Sequence, residues 1–133
     1  MGKKMYTTEI LLLAIGAIIG AFLRYKLVEA PLLVAGLQVN VLLVNVLGSF
    51  ILGLFAVLSV AFNVDAKYSL LFAVGFCGSF TTMSSFALET SNLIDSNRFT
   101  LVAVNIFANV GLSLGAVIGG KTLGTILMEY AFK

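Results

Sequence analysis

Four uninterrupted apolar runs, each about the length needed to cross a bilayer, leave this chain few ways to fold. They run from about Glu9 to Val28, Val39 to Phe62, Ser69 to Leu93 and Thr100 to Leu123. A helix rises 1.5 Å per residue, so ~20 apolar residues span a hydrocarbon core of ~30 Å. In hydrocarbon a backbone polar group finds no water, so a spanning segment must satisfy itself as a helix or join a closed barrel. A barrel strand would alternate polar and apolar residues, and these runs do not. The chain therefore reads as an all-α membrane protein, a single domain over residues 1–133.

The remaining residues could not cover a soluble domain of 133 residues. Only 11% are charged and 60% are hydrophobic, against roughly 25% and 45–50% in soluble domains. A soluble enzyme and a nucleic-acid-binding module are excluded on this ground. The net charge of +2 is also too small to hold a phosphate backbone. The chain has no histidine and one cysteine, Cys77, which leaves no imidazole relay, no thiol metal cluster and no catalytic nucleophile–base pair. No catalytic residue is expected. Lys3 and Lys4 resemble the start of a signal peptide, but the apolar run that follows is too long and has no small-residue cleavage site.

Short connectors imply that sequential helices run antiparallel. Both termini then share a side with Lys3, Lys4, Lys67, Lys121 and Lys133, while Arg24, Lys26 and Arg98 face the other. Orientation follows Lys/Arg asymmetry, and five against three is a weak bias. A single orientation with cytoplasmic termini and dual topology, with copies inserting both ways up, are both compatible with it.

Polar residues inside the spans are costly unless partnered, and they mark pathways or interhelical hydrogen bonds. Asn45 lies in the second span. Asn105, Asn109 and Ser113 share one face of the fourth. Ser79, Thr81, Thr82, Ser84 and Ser85 crowd the third. The glycines of spans 1, 2 and 4 are read as packing positions. Four small helices leave little room for a passage within one copy, so transport implies an oligomer. No carboxylate lies mid-membrane, which favours passive conduction over proton coupling.

The stretch Gly75-Phe-Cys-Gly-Ser-Phe-Thr-Thr-Met-Ser-Ser-Phe86 predicts a break at the centre of the third span. Irregular backbone at that depth lines cavities or coordinates ions. Freed carbonyls of Gly75 and Gly78 suit a small cation.

Together with Gly16-x3-Gly20-x3-Arg24-Tyr25, Asn45-Val-Leu-Gly-Ser-Phe50-x2-Gly53 and Glu89, this stretch resembles the CrcB/Fluc fluoride channels, small four-span bacterial membrane proteins, over the whole chain. The resemblance implies an antiparallel, dual-topology homodimer in the bacterial cell inner membrane. Its two pores would export fluoride passively and lower its toxicity. It implies a structural sodium ion (Na+) at the dimer centre on the carbonyls of Gly75 and Gly78. It implies a fluoride pore of Asn45, Phe80, Thr81, Thr82, Met83, Ser84, Asn109 and Ser113, with Arg24 and Glu89 in the vestibule. Phenylalanine edges carry positive charge toward the anion.

Three departures stand out. Met83 occupies the usual second phenylalanine of Phe-Thr-Thr-Phe-Ser, so throughput is expected to be altered and reduced. Asn40-Val41 replaces the usual Gly-Thr, and span 4 has asparagines where tyrosine and serine are common. The rival reading is a proton-coupled exporter of the small multidrug resistance kind. It would need a carboxylate within span 1, and Glu9 lies at its start; a non-transporting subunit of a larger complex is the other rival.

Overall fold

A computed structural model describes residues 6–133; Lys3 and Lys4 of the charge comparison lie outside them. Helix α1 spans Thr7–Val28, α2 Asn40–Ala61, α3 Ala66–Ser69, α4 Gly78–Phe80, α5 Met83–Asp95 and α6 Phe99–Ala131. A π-helical segment, Leu70–Cys77, joins α3 to α4. Among the described residues, four helical stretches are long and apolar enough to span a membrane: Thr7–Val28, Asn40–Ala61, Ala66–Asp95 and Phe99–Ala131. The chain is a multi-pass membrane protein. The last stretch continues eight residues past the expected end at Leu123, carrying Lys121 and Glu129 on the same helix. At about 50 Å it is longer than the hydrocarbon it crosses.

The closest packing joins alternate helices rather than sequential ones: α2 lies along α6, and α1 along the π segment and α4. Glycine makes both approaches possible. A Cβ on Gly16 would strike the backbone of Leu71, and one on Gly20 that of Phe76. On the other pair, a Cβ on Gly53 would strike Val117 and one on Gly120 would strike Phe50. Contact order along each pair (Gly16 with Leu71, Gly20 with Phe76; Gly53 with Val117, Gly124 with Val57) makes the partners parallel. Gly111 and Gly115 differ, since a Cβ on either would meet nothing within 4 Å.

The connectors are more ordered than their composition suggests. Between α1 and α2 the chain forms a hairpin of Leu33–Val34 (β1) and Leu37–Gln38 (β2), with Leu33 opposite Gln38 and Val34 opposite Leu37. Ala35 and Gly36 both have positive φ, 51° and 82°, as a two-residue hairpin turn of the primed type requires. Asn40 anchors the hairpin to α1. Its Oδ1 accepts from the Leu32 N–H at 2.5 Å, and its Nδ2 donates to the carbonyls of Leu27 and Ala30 at 2.7 and 2.9 Å.

Both other connectors close a helix in the same way. Past α2, Asn63 at φ 48° lets its N–H reach Val60 O and the Val64 N–H reach Ser59 O. Past α5, Asn97 at φ 56° lets its N–H reach Ile94 O and the Arg98 N–H reach Leu93 O. These paired bonds satisfy carbonyls a helix end leaves free, and asparagine is the non-glycine residue that tolerates the left-handed turn.

Candidate functional site

The helical ladder of the third span is interrupted between α4 and α5. Thr81 (φ −78°, ψ 157°) and Thr82 (φ −150°, ψ 115°) are extended. Interrupting the ladder at membrane depth frees peptide groups that lipid cannot satisfy. Asn45 of α2 takes both groups of Thr82: Thr82 N–H donates to Asn45 Oδ1 at 2.7 Å, and Asn45 Nδ2 donates to Thr82 O at 3.2 Å. Thr82 Oγ1 in turn accepts the Ser85 N–H at 3.1 Å and so caps α5, the role threonine fills at a helix start. The Thr81 hydroxyl turns back to donate to Cys77 O at 2.9 Å.

From Asn45 a line of amides runs through the interior. Asn45 Nδ2 donates its other hydrogen to Asn109 Oδ1 at 3.1 Å. Asn109 Nδ2 donates to Oδ1 and backbone O of Asn105, at 2.9 and 3.1 Å. Asn105 Nδ2 donates to Thr90 Oγ1 at 3.1 Å, and Thr90 Oγ1 donates to Phe86 O at 2.8 Å. Asn105 is 0% and Asn109 5% exposed. A carboxamide has two N–H donors, so those of Asn45 and Asn109 are fully engaged within the protomer. Asn105 and Asn109 of the α6 stripe thus form an internal ladder in which the donors of Asn109 are committed.

Two buried atoms beside this ladder have no partner among the described residues, Glu89 Oε2 and Ser113 Oγ. Ser113 lies one turn beyond Asn109 on α6, and Glu89 is next to Thr90. Burying a polar atom without a hydrogen bond costs about 1–3 kcal/mol, so these atoms are open to a further partner.

The remaining sequence-selected residues fall into separate places. Phe80 is buried at the end of an aromatic row: its ring stacks on Phe76 at 5.6 Å, Phe76 meets Phe72 edge-on, and Phe72 stacks on Phe55. Phe80 and Thr81 also press on Gly48 of α2, where a Cβ would collide with both. Met83 is 74% exposed and Ser84 is exposed, with Ser84 Oγ 3.2 Å from Thr82 Oγ1. Gly78 is exposed, whereas Gly75 is buried against Leu13 and Ala17 of α1 and its carbonyl accepts the Gly78 N–H.

Arg24 and Glu89 do not share a cavity. Arg24 lines one with Ser85, Tyr25 and Glu29. Glu89 lines another, of about 210 Å³, with Leu37 and Gln38 of the hairpin and Asn92, Ser96 and Arg98. Composition alone missed Asn40, Thr90 and Arg98. The Asn-Asn spacing of α6 was visible, but which helix answers it was not.

The family model described as "CrcB-like protein, Camphor Resistance (CrcB)" matches residues 11–121. A protein of Nitrosopumilus maritimus (strain SCM1), named fluoride-specific ion channel FluC, is 59% identical over 121 residues, covering 91% of this chain and 96% of its own. Proteins of the same name from Koribacter versatilis (strain Ellin345) and Methanococcus aeolicus are 40% and 35% identical, over 90% and 91% of this chain and 97% and 98% of their own.

Proposed function

This chain belongs to the CrcB family, and on that premise we propose that it is a channel, not an enzyme, that conducts fluoride passively across the cell membrane. The observation that carries the reading is the 59% identity, over nearly the whole of both chains, to a protein named as a fluoride-specific channel. The membrane potential alone would drive export, at ~2.3 kcal/mol per charge per 100 mV. The resemblance implies a bacterial inner membrane, whereas the 59% identical relative is archaeal.

The reach of the ladder supports an antiparallel homodimer. Asn109 lies ten residues into α6, roughly 15 Å along it, about half of a ~30 Å hydrocarbon core. Beyond Ser113 the interior between α2 and α6 is glycine against Phe50, Leu54 and Val57. One copy thus offers polar groups to one leaflet, and an inverted second copy would offer the same groups to the other. We read Thr81–Thr82 as the break that brings the pore hydroxyls to that depth, with Ser84, Ser113 and an inverted copy's exposed groups left to solvate the ion.

A structural sodium ion belongs to the same reading. Carbonyl oxygens are hard ligands of the kind such an ion takes. Gly78 sits on the open face, where a second copy can approach its backbone; Gly75 would contribute the lone pair its carbonyl keeps. Bound there, sodium would supply a fixed positive charge at the centre of the dimer.

The exporter reading loses its carboxylate. Glu9 lies in the first turn of α1, and its Oε2 accepts the Tyr6 N–H at 3.0 Å, a capping role. Fluoride-electrode recording of efflux from liposomes, with and without sodium, tests the proposal. Fast fluoride efflux with chloride retained is expected; equal efflux of the two ions overturns it.

A further inference from the structure

We propose that the cavity between the α1–α2 hairpin and the α5–α6 turn is an anion-capture site at the mouth of the ion path, with the Arg98 guanidinium as its ligand. The proposal rests on the channel reading for its purpose and on geometry for its placement.

Arg98 is held from two sides. Its backbone N–H bonds Leu93 O in the turn that closes α5. Its guanidinium lies against Gly36, so that a Cβ there would collide with it, and Gly36 is the positive-φ residue of the hairpin turn. The side chain therefore lies over the hairpin while remaining solvent-exposed. Among the described residues no carboxylate pairs with it: the two ion pairs are Lys26–Glu29 and Lys67–Asp65. Guanidinium offers five N–H donors in a planar fork, and a positioned cation in a partly enclosed cleft concentrates anions.

The rest of the lining suits a small, strongly hydrated anion. Gln38 and Asn92 add neutral amide donors around about 210 Å³ of space, enough for an ion that keeps some water, while the Ser96 hydroxyl is held on the Asn92 carbonyl at 2.8 Å. The inner wall is Glu89, whose buried Oε2 lacks a partner and whose neighbour Thr90 begins the amide ladder. The cavity is thus walled on its inner side by the residue that precedes the start of the ladder, and Glu89 is the one carboxylate in its lining.

The test compares wild type, Arg98→Gln and Arg98→Lys in liposomes at low and high ionic strength, roughly 0.02 and 0.5 M, where the screening length falls from tens of ångströms to a few. Arg98→Gln should slow fluoride efflux about tenfold at low salt and far less at high salt, while Arg98→Lys stays near wild type. A loss that is the same at both salts assigns Arg98 to holding the hairpin alone and overturns the proposal, as does no loss. A second readout needs no conduction: fluoride, against gluconate at equal ionic strength, should slow phenylglyoxal modification of Arg98 in the folded protein, followed by mass spectrometry. Protection without any fluoride flux in wild type would sink the channel reading and keep the site. Flux without protection would keep the channel and remove the site.

Discussion

Asn45 stands in for a strand partner of Thr82: one carboxamide receives the Thr82 N–H at 2.7 Å and donates to the Thr82 carbonyl at 3.2 Å. A peptide group can be released from the helical ladder at membrane depth only where another group of peptide-like geometry replaces its partners. The carboxamide is that group, which is why the residue opposite the interruption is an asparagine rather than a serine or an aspartate.

Asn45→Ala should therefore cost stability, whatever it does to the proposed pore. It strands both Thr82 groups and the Asn109 acceptor, at about 1–3 kcal/mol for each buried group left unmade. Asn45→Asp keeps the acceptor for Thr82 N–H but removes both donors. The expected order of thermal midpoints in detergent is wild type above Asp above Ala, with fluoride flux falling in parallel. An Ala variant as stable as wild type would show that the interruption holds itself.

The ladder predicts coupling between Asn45 and Asn109. A double-mutant cycle with Asn45→Ala and Asn109→Ala, read from unfolding in detergent, should give an interaction energy of about 0.5–3 kcal/mol, because the two amides share the 3.1 Å bond. Strict additivity would mean that each amide is satisfied independently.

The glycines sort by what faces them. Gly120→Ala should destabilise the protein, since its Cβ would enter the backbone of Phe50 and overpacking costs about 1–3 kcal/mol. Gly115→Ala meets nothing within the protomer, and alanine favours a helix over glycine by about 1 kcal/mol. Its monomer stability should hold or rise. A loss of the proposed dimer on gel filtration by Gly115→Ala alone would place α6 against the second copy.

How much of this was legible in the sequence divides along a physical line. The four spans follow from the length of apolar runs, a property each helix has by itself. The glycine spacing gave close approach but no partner, and α1 proved to lie along Leu71–Phe80 and α2 along α6, pairings that depend on the whole bundle. The hairpin was hidden because its turn is Ala35-Gly36 rather than an asparagine or aspartate with glycine, the pair that signals such turns. The α6 stripe was visible as three polar residues on one face. That two of them are committed to neighbours, while Ser113 keeps an unpartnered hydroxyl, required knowing that Asn45 and Thr90 face them.

Asn40 gives a prediction outside the ion path. Its three bonds tie Leu32, Leu27 and Ala30 together, filling the position where the resembled family has Gly-Thr. Asn40→Ala should lower the thermal midpoint and speed amide exchange at Leu32. Because Arg98 leans on the same hairpin, Asn40→Ala should also lower the salt sensitivity of flux, though less than Arg98→Gln does. Exchange at Leu32 unchanged from wild type would show that the hairpin is held by β1 and β2 alone.

Met83 offers the most direct test of what the proposed pore asks of its side chains. It follows Thr82 at the start of α5 and is 74% exposed in the single chain, so little within the protomer constrains its shape. A phenyl ring offers a positive edge to an anion, and a thioether of similar bulk does not. If the ring edge contributes to fluoride solvation, Met83→Phe should raise fluoride efflux from liposomes, by severalfold for a gain of about 1 kcal/mol at the barrier, with the chloride leak unchanged. Met83→Leu, equally bulky and without sulfur, should match wild type. Equal efflux from all three would remove the ring edge from the mechanism at this position and leave solvation to the hydroxyls of Ser84 and its neighbours.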